Sequence, residues 1–216
     1  MSVLRAVVFD LWETLVDWPR EESLAMRERM ARRAGIDEER FDALWFEHHL
    51  LRETGPIRPA LEAMGVPDDA VADLLAWRLE MTRGQLVPRE GALDVLAEVR
   101  RRGLRVGLLS MCTEEVPELW PDTELAALVD QPVFSCSEGL PKPDPRIYLL
   151  ACDRLGVAPG EAVFVGDGAN DELAGAERAG LRAVLIERPN GFGHGWTGER
   201  ITELHELLPL LERPAA

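Results

Sequence analysis

The sequence of 216 residues predicts an α/β protein in which a block of helices interrupts a parallel sheet after its first strand. The apolar run at residues 4–9 ends in Asp10, as a buried parallel strand does. Residues 20–83 place apolar side chains at helical spacing and show no strand pattern. From residue 90 onward, helices and short apolar strands alternate, which is typical of a doubly wound, Rossmann-like sheet.

The interrupting block divides into helices at its glycine and proline breaks. Gly35, Gly55-Pro56 and Gly65-Val66-Pro67 each end a periodic stretch. The predicted helices of the block cover residues 22–34, 38–53 and 68–83.

The remaining chain supplies the sheet and the helices that cover it. Its predicted helices are residues 90–102, 145–155, 171–179 and 201–211, and its further strands are residues 104–109, 132–134, 162–165 and 182–186. The predicted catalytic core therefore comprises residues 1–16 and 88–216, and residues 17–87 form a helical cap. An insert at this point lies over the carboxyl ends of the strands, where sheets of this type bind ligands.

The net charge of −15 excludes several kinds of partner. A sequence-independent nucleic-acid binder needs a basic stripe, and none is visible among 24 basic and 39 acidic residues. An anionic membrane surface would repel the chain. We therefore expect no nucleic-acid and no membrane partner, but a small anionic substrate whose site supplies local positive charge. The sequence leaves a monomer and a dimer equally open.

The chain start and the cysteines indicate the compartment. The start lacks the order of basic, apolar and small residues of a signal peptide, and no apolar run approaches the roughly 18–20 residues that span a bilayer. Cys112, Cys136 and Cys152 show no metal spacing. We expect a cytoplasmic protein with reduced thiols. Cys112 lies near Ser110 without a basic neighbour, which predicts an unreactive thiol.

Polar residues follow several predicted strands at the same edge of the sheet. These are Asp10, Ser110, the loop bearing Lys142, and the pair Asp167 and Asp171. Three crowded carboxylates cannot all stay ionised without compensation. Lys142, the only lysine beside 23 arginines, offsets one charge, and a divalent cation that prefers oxygen ligands, Mg²⁺, offsets two.

Four ordered segments resemble the motifs of the haloacid dehalogenase superfamily, and the resemblance covers nearly the whole chain. Its most specific parts are Lys142-Pro143-Asp144-Pro145 and the spacing of Gly166-Asp167 to Asp171. The helical block resembles that family's small cap. The four segments cover residues 8–16, 108–110, 139–148 and 165–171.

The resemblance implies a role for each site residue. Asp10 would be the nucleophile that forms an aspartyl-phosphate, Ser110 would hydrogen-bond the transferred group, and Lys142 would neutralise developing charge. Thr14 would lie near the nucleophile. The implied Mg²⁺ ligands are Asp10, the backbone carbonyl of Trp12, Asp167 and Asp171.

Trp12 departs from the pattern of the family's phosphatases. Those enzymes carry a second Asp, the general acid and base, at this position, and proton transfer of that kind contributes roughly 10²–10⁴-fold. Glu13 follows, but a side chain one residue along points elsewhere. We expect a preference for aryl or acyl phosphates, which leave without much protonation.

An aromatic residue at this position also resembles the dehalogenase branch of the family. In that alternative Asp10 displaces halide from a 2-haloacid without a metal, and Arg40 or Arg52 holds the substrate carboxylate. For either substrate we expect Trp12 and Trp18, together with Thr14 and Ser110, to contact the substrate. Asp167 and Asp171 argue against it, because two bare carboxylates would repel an anionic haloacid. A third alternative is a protein that binds a phosphorylated ligand without turnover. The sequence favours a Mg²⁺-dependent phosphatase of small phosphomonoesters.

Overall fold

A six-stranded parallel sheet organises the chain, and this confirms the predicted α/β, Rossmann-like fold. The computed structural model describes residues 3–189 and 191–212, so residues 1, 2, 190 and 213–216 of the predicted core lie outside the described residues. The strand order is β3-β2-β1-β4-β5-β6. The strands are β1 Ala6–Phe9, β2 Arg105–Ser110, β3 Gln131–Phe134, β4 Ala162–Gly166, β5 Arg182–Ile186 and β6 Glu199–Ile201.

The central strand β1 sets the edge at which polar residues meet. All four of its residues are fully buried, because helices cover both faces of a parallel sheet. Phe9 pairs with Leu108 of β2 and with Val165 of β4. Since these three strands end at the same level, Asp10, Ser110 and Asp167 emerge side by side.

Helices cover the sheet on two faces, each with its own apolar core. Val7 and Phe9 of β1 face the cluster that contains the helix Ala92–Arg101, and Ala6 and Val8 face the cluster that contains the helices Pro145–Leu155 and Glu172–Arg178. Each fully buried aliphatic or aromatic side chain contributes about 1.5–3 kcal/mol to these cores. The helices are α6 Ala92–Arg101, α7 Glu115–Leu119, α8 Ser135–Glu138, α9 Pro145–Leu155, α10 Glu172–Arg178 and α11 Leu207–Leu210.

Five helices lie between β1 and α6, and four of them contribute to a separate apolar cluster that includes Phe41 and Leu74. The predicted helix 38–53 is in fact two helices that meet at His48. The sequence predicts a single helix because its apolar spacing continues across this break. The structure also has a short helix after Gly55-Pro56 that the sequence does not predict, because it contains Pro59. The proline lies in the first turn of this helix, where proline is tolerated. The helices are α1 Arg20–Ala34, α2 Glu38–Glu47, α3 His49–Glu53, α4 Arg58–Ala63 and α5 Asp68–Gln85.

The predicted helix at residues 201–211 is wrong at its start. Ile201 instead pairs with Ile186 as part of the sixth strand. The Glu206 carboxylate accepts the backbone N–H groups of Thr202 (2.7 Å) and Glu203 (3.2 Å), which ends the strand in a turn. Only residues 207–210 are α-helical.

Among the described residues, no helix combines the length and apolarity that crossing a lipid bilayer requires.

Candidate active site

Asp10 and Lys142 form a buried ion pair at the carboxyl end of β1. The Asp10 N–H donates to the Val165 carbonyl (2.8 Å), which holds the residue between β1 and β4. Lys142 Nζ lies 2.5 Å from Asp10 Oδ1, and both residues are only 4% exposed. Burial lowers the pKa of Lys142, but the charges of Asp10 and Glu172 outweigh it and raise that pKa above its usual value. The ammonium therefore stays charged.

Three buried carboxylates surround this ammonium. Asp10, Asp167 and Glu172 each place an oxygen within 4.8 Å of the others. Burial and the charge of Asp10 raise the pKa of Asp167 to about 6. Burial raises the pKa of Glu172 to about 8, against the lowering effect of Lys142. One ammonium does not balance three carboxylates, so the donor set fits a divalent cation that prefers oxygen ligands.

The structure groups Glu172, and not the predicted ligand Asp171, with Asp10 and Asp167. Asp171 adopts a left-handed backbone (φ 54°), its side chain is 64% exposed, and it pairs with Arg178 at 3.2 Å. Glu172 opens α10, is fully buried, and extends its Oε2 to within 2.5 Å of Lys142 Nζ. The two neighbouring side chains therefore point in different directions, that of Asp171 to solvent and that of Glu172 to the site.

Two glycines position Glu172, one by donating a hydrogen bond and the other by leaving space. Its Oε1 accepts the Gly168 N–H at 3.0 Å. A Cβ at residue 166 would overlap this same oxygen, so only glycine fits there. Glu172 and Ala176 are one helical turn apart and both buried, and that spacing is the sequence signal that would have identified Glu172.

Two hydroxyl groups lie buried at the same sheet edge. Ser110 ends β2 and Thr14 lies four residues after Asp10, and both are fully buried. Neither hydroxyl oxygen has a hydrogen-bond partner among the described residues. A buried unsatisfied polar group costs about 1–3 kcal/mol, so these groups are explained best by a ligand that satisfies them.

The Trp12 and Trp18 rings pack edge to face, with their centroids 5.0 Å apart. Trp18 is 42% exposed. Glu13 follows Trp12 in the chain and has a left-handed backbone (φ 58°). Its carboxylate pairs with Arg188 at 3.3 Å and with Arg20 at 3.7 Å. Glu13 is thereby held by two arginines.

A second buried ion pair joins the helical block to the sheet domain. Arg78 of α5 pairs closely with Glu115 of α7 and donates to Thr113 Oγ1 at 3.0 Å. Its guanidinium lies 4.7 Å from the centroid of the Trp45 ring. Burial raises the pKa of Glu115, but the charge of Arg78 and the Thr113 hydroxyl outweigh it, so that pKa lies below its usual value.

The two arginines suggested for a substrate carboxylate lie in different surroundings. Arg52 is buried, donates to the Trp45 carbonyl and pairs with Glu53 at 2.9 Å. Arg40 is exposed in the first turn of α2.

The parallel sheet and the aspartate, lysine and carboxylates at its edge define a Rossmann-like α/β protein with an acidic site after its first strand. The family model of the haloacid dehalogenase-like hydrolases matches residues 4–180. The chain belongs to this family and is a hydrolase.

The relatives include both phosphatases and dehalogenases. A phosphoserine phosphatase of Thermus thermophilus is 36% identical over 68% of this chain and 64% of its own length. An (S)-2-haloacid dehalogenase of Burkholderia cepacia is 31% identical over 97% of this chain and 96% of its own. The crystal structure of an HAD phosphatase from Thermococcus onnurineus superposes with a TM-score of 0.72, at 25% identity, over 97% of this chain and 98% of that one.

Proposed function

We propose that this hydrolase is a Mg²⁺-dependent phosphatase of small phosphomonoesters. The observation that carries the proposal is the group of three buried carboxylates around one ammonium, beside two buried hydroxyls that lack partners. The carboxylates suit a divalent cation, and the hydroxyls and the ammonium suit a phosphoryl group.

Asp10 is the proposed nucleophile. Its Oδ1 accepts from Lys142, so Oδ2 is left to attack phosphorus. The Oδ2–P bond forms as the ester P–O bond breaks, and the leaving oxygen takes the electron pair. Water then attacks phosphorus, the Oδ2–P bond breaks, and Asp10 is regenerated with inorganic phosphate.

The surrounding residues stabilise this transfer. Ser110 and Thr14 donate hydrogen bonds to the phosphoryl oxygens, and Lys142 holds Asp10 in place. Asp10, Asp167, Glu172 and the Trp12 carbonyl are the proposed ligands of Mg²⁺, which when bound would offset the charge of the carboxylates and of the phosphate. Residues 17–87 are the proposed cap, and the three free thiols are consistent with a cytoplasmic location.

Trp12 limits the leaving groups that the site can accept. The indole has no acidic proton to give to a departing alkoxide, and the nearby Glu13 is paired with arginines. Aryl and acyl phosphates are therefore the preferred substrates, because their leaving groups depart without protonation.

The dehalogenase alternative has support from the Burkholderia relative and from Trp12 itself. Against it, Arg52 is engaged by Glu53, and the carboxylates of Asp167 and Glu172 beside Asp10 would repel a haloacid anion.

One panel decides between these functions. Phosphate release from aryl and alkyl phosphates and halide release from 2-chloropropionate are measured with Mg²⁺ and with EDTA, and Asp10→Asn serves as the blank for contaminating activity. We expect phosphate release that EDTA abolishes. Halide release in EDTA without phosphate release would establish the dehalogenase. Saturable Mg²⁺ and phosphate binding without either product would indicate a binding protein.

A further inference from the structure

Two buried cysteines lie side by side next to the proposed active site. Cys112 Sγ and Cys136 Sγ are 4.0 Å apart. Ser110 of β2 pairs with Phe134 of β3, so each cysteine lies two residues beyond a paired position on neighbouring strands.

Hydrogen bonds keep the two segments together beyond the strands. The Cys112 N–H donates to Ser135 Oγ at 3.0 Å, and the Ser135 hydroxyl donates to the Cys112 carbonyl at 3.4 Å. Closing the two sulfurs from 4.0 Å to the bond length of about 2.05 Å therefore needs only a local shift.

The two thiols differ in reactivity. A hydrogen bond from Cys112 lowers the pKa of the Cys136 thiol, although burial opposes this. Burial raises the pKa of Cys112 well above its usual value. Cys136 is the more exposed of the two, at 9% against 4%. Cys136 is thus suited to attack an oxidant and Cys112 to complete the bond.

We propose that hydrogen peroxide converts Cys112 and Cys136 into a reversible disulfide that lowers the hydrolase activity. The Cys136 thiolate attacks a peroxide oxygen, the O–O bond breaks, and a sulfenic acid and hydroxide form. The Cys112 sulfur then attacks the sulfenic sulfur, and water leaves as the S–S bond forms. Two thiols are oxidised, and one peroxide is reduced to two waters. A thiol reductant restores both cysteines.

The link to activity follows from what each segment carries. Cys112 lies between Ser110 and Thr113, the residue that receives a hydrogen bond from Arg78 of the helical block. Cys136 begins the segment that leads to Lys142. A bond between them shifts the strand end that holds Ser110 and the contact that holds the helices. Only this consequence rests on the proposed function, because the disulfide can form whatever the substrate.

The test is peroxide treatment of the full chain, followed by trapping of free thiols under denaturing conditions and by peptide mass analysis. We expect free thiols to fall from three to one, with a Cys112–Cys136 cross-linked peptide lighter by two hydrogens. Activity, as phosphate or halide release according to the panel, should fall at least threefold and return with dithiothreitol.

Single variants provide the controls. Cys112→Ser and Cys136→Ser should abolish the cross-link and keep activity after treatment, whereas Cys152→Ser, a buried cysteine of α9, should behave like the wild type. Three free thiols after treatment, or a cross-link through Cys152, would overturn the disulfide. A cross-link with full activity would overturn the effect of the disulfide on the enzyme. A cross-link in a protein that shows no phosphate or halide release even before treatment would refute only the proposed function.

Discussion

The Lys142 ammonium lies 2.5 Å from Glu172 Oε2 and equally close to Asp10 Oδ1, so one buried cation joins two carboxylates from distant parts of the chain. The ammonium is a compact point charge with three donors, and this arrangement uses that property. A planar guanidinium is larger and directs its donors in a fixed fork. This difference explains why a chain with 23 arginines has its only lysine here.

Lys142→Arg tests this explanation. We expect turnover to fall at least about 100-fold, because the Asp10 carboxylate is displaced, and the free energy of unfolding to fall by about 1–3 kcal/mol from overpacking. Turnover and urea unfolding are the measurements. Arg154→Lys is the matched control, since Arg154 forms a partly exposed pair with Glu138 that contributes about 1 kcal/mol or less. Full activity of Lys142→Arg would contradict the explanation.

The assignment of Glu172, and not Asp171, to the metal site is tested without an activity assay. Mg²⁺ at 100 times its Kd stabilises a protein by about 2.7 kcal/mol. We expect this stabilisation in the wild type and in Asp171→Asn, whose exposed carboxylate pairs with Arg178. Asp167→Asn and Glu172→Gln should lose most of it. Thermal unfolding with and without Mg²⁺ measures the effect. Loss of the Mg²⁺-induced stabilisation in Asp171→Asn alone would favour Asp171, as the sequence predicts, over Glu172 as the ligand.

Ser110→Ala should separate stability from function. Its buried hydroxyl has no partner among the described residues, so its removal should leave the free energy of unfolding unchanged or raise it by about 1 kcal/mol. Turnover should fall by about 10²-fold, since a donor to the phosphoryl group is lost. Ser23→Ala is the control, because Ser23 of α1 is also buried and unpartnered but belongs to the helical block. A stability loss in Ser110→Ala with normal turnover would argue for a purely structural serine.

Trp12→Asp should supply the proton that the present site lacks. We expect turnover of alkyl phosphates to rise at least about tenfold, and turnover of aryl phosphates to change little, because general acid catalysis helps poor leaving groups most. Trp12→Asn has a similar size without an acid and likewise removes the packing against Trp18, so it should show no gain. Equal turnover of aryl and alkyl phosphates by the wild type would mean that another residue already donates the proton.

The pair of Arg78 and Glu115 should make the attachment of the helical block sensitive to acid. The folded-state pKa of Glu115 lies below its usual value of 4.5, so the stabilisation is complete above about pH 4.5 and disappears as the pH falls through the folded-state pKa. Glu115→Gln should destabilise the protein by about 3 kcal/mol at pH 7, where Arg78 loses its buried partner. The difference from wild type should shrink toward pH 3.

Urea unfolding at several pH values measures this effect. Glu62→Gln, in a half-exposed pair with Arg58 at 4.0 Å, should cost less than about 1 kcal/mol at any pH. A constant difference between wild type and Glu115→Gln across this range would rule out the titration of Glu115 as its origin.

The sequence by itself determined the sheet, the interrupting helices and the strand ends that carry Asp10, Ser110 and Asp167. Apolar runs and helical spacing record burial, and parallel strands bring their carboxyl ends to one edge. Tertiary structure decided what local pattern does not encode. Ile201 became a strand because an edge of the sheet was available, and His48 divided a helix whose apolar spacing is continuous. It also decided that Glu172 faces Lys142 while Asp171 faces solvent, since a left-handed residue before a helix rotates neighbouring side chains apart. The contact between Cys112 and Cys136, 24 residues apart, likewise exists only because two strands are neighbours.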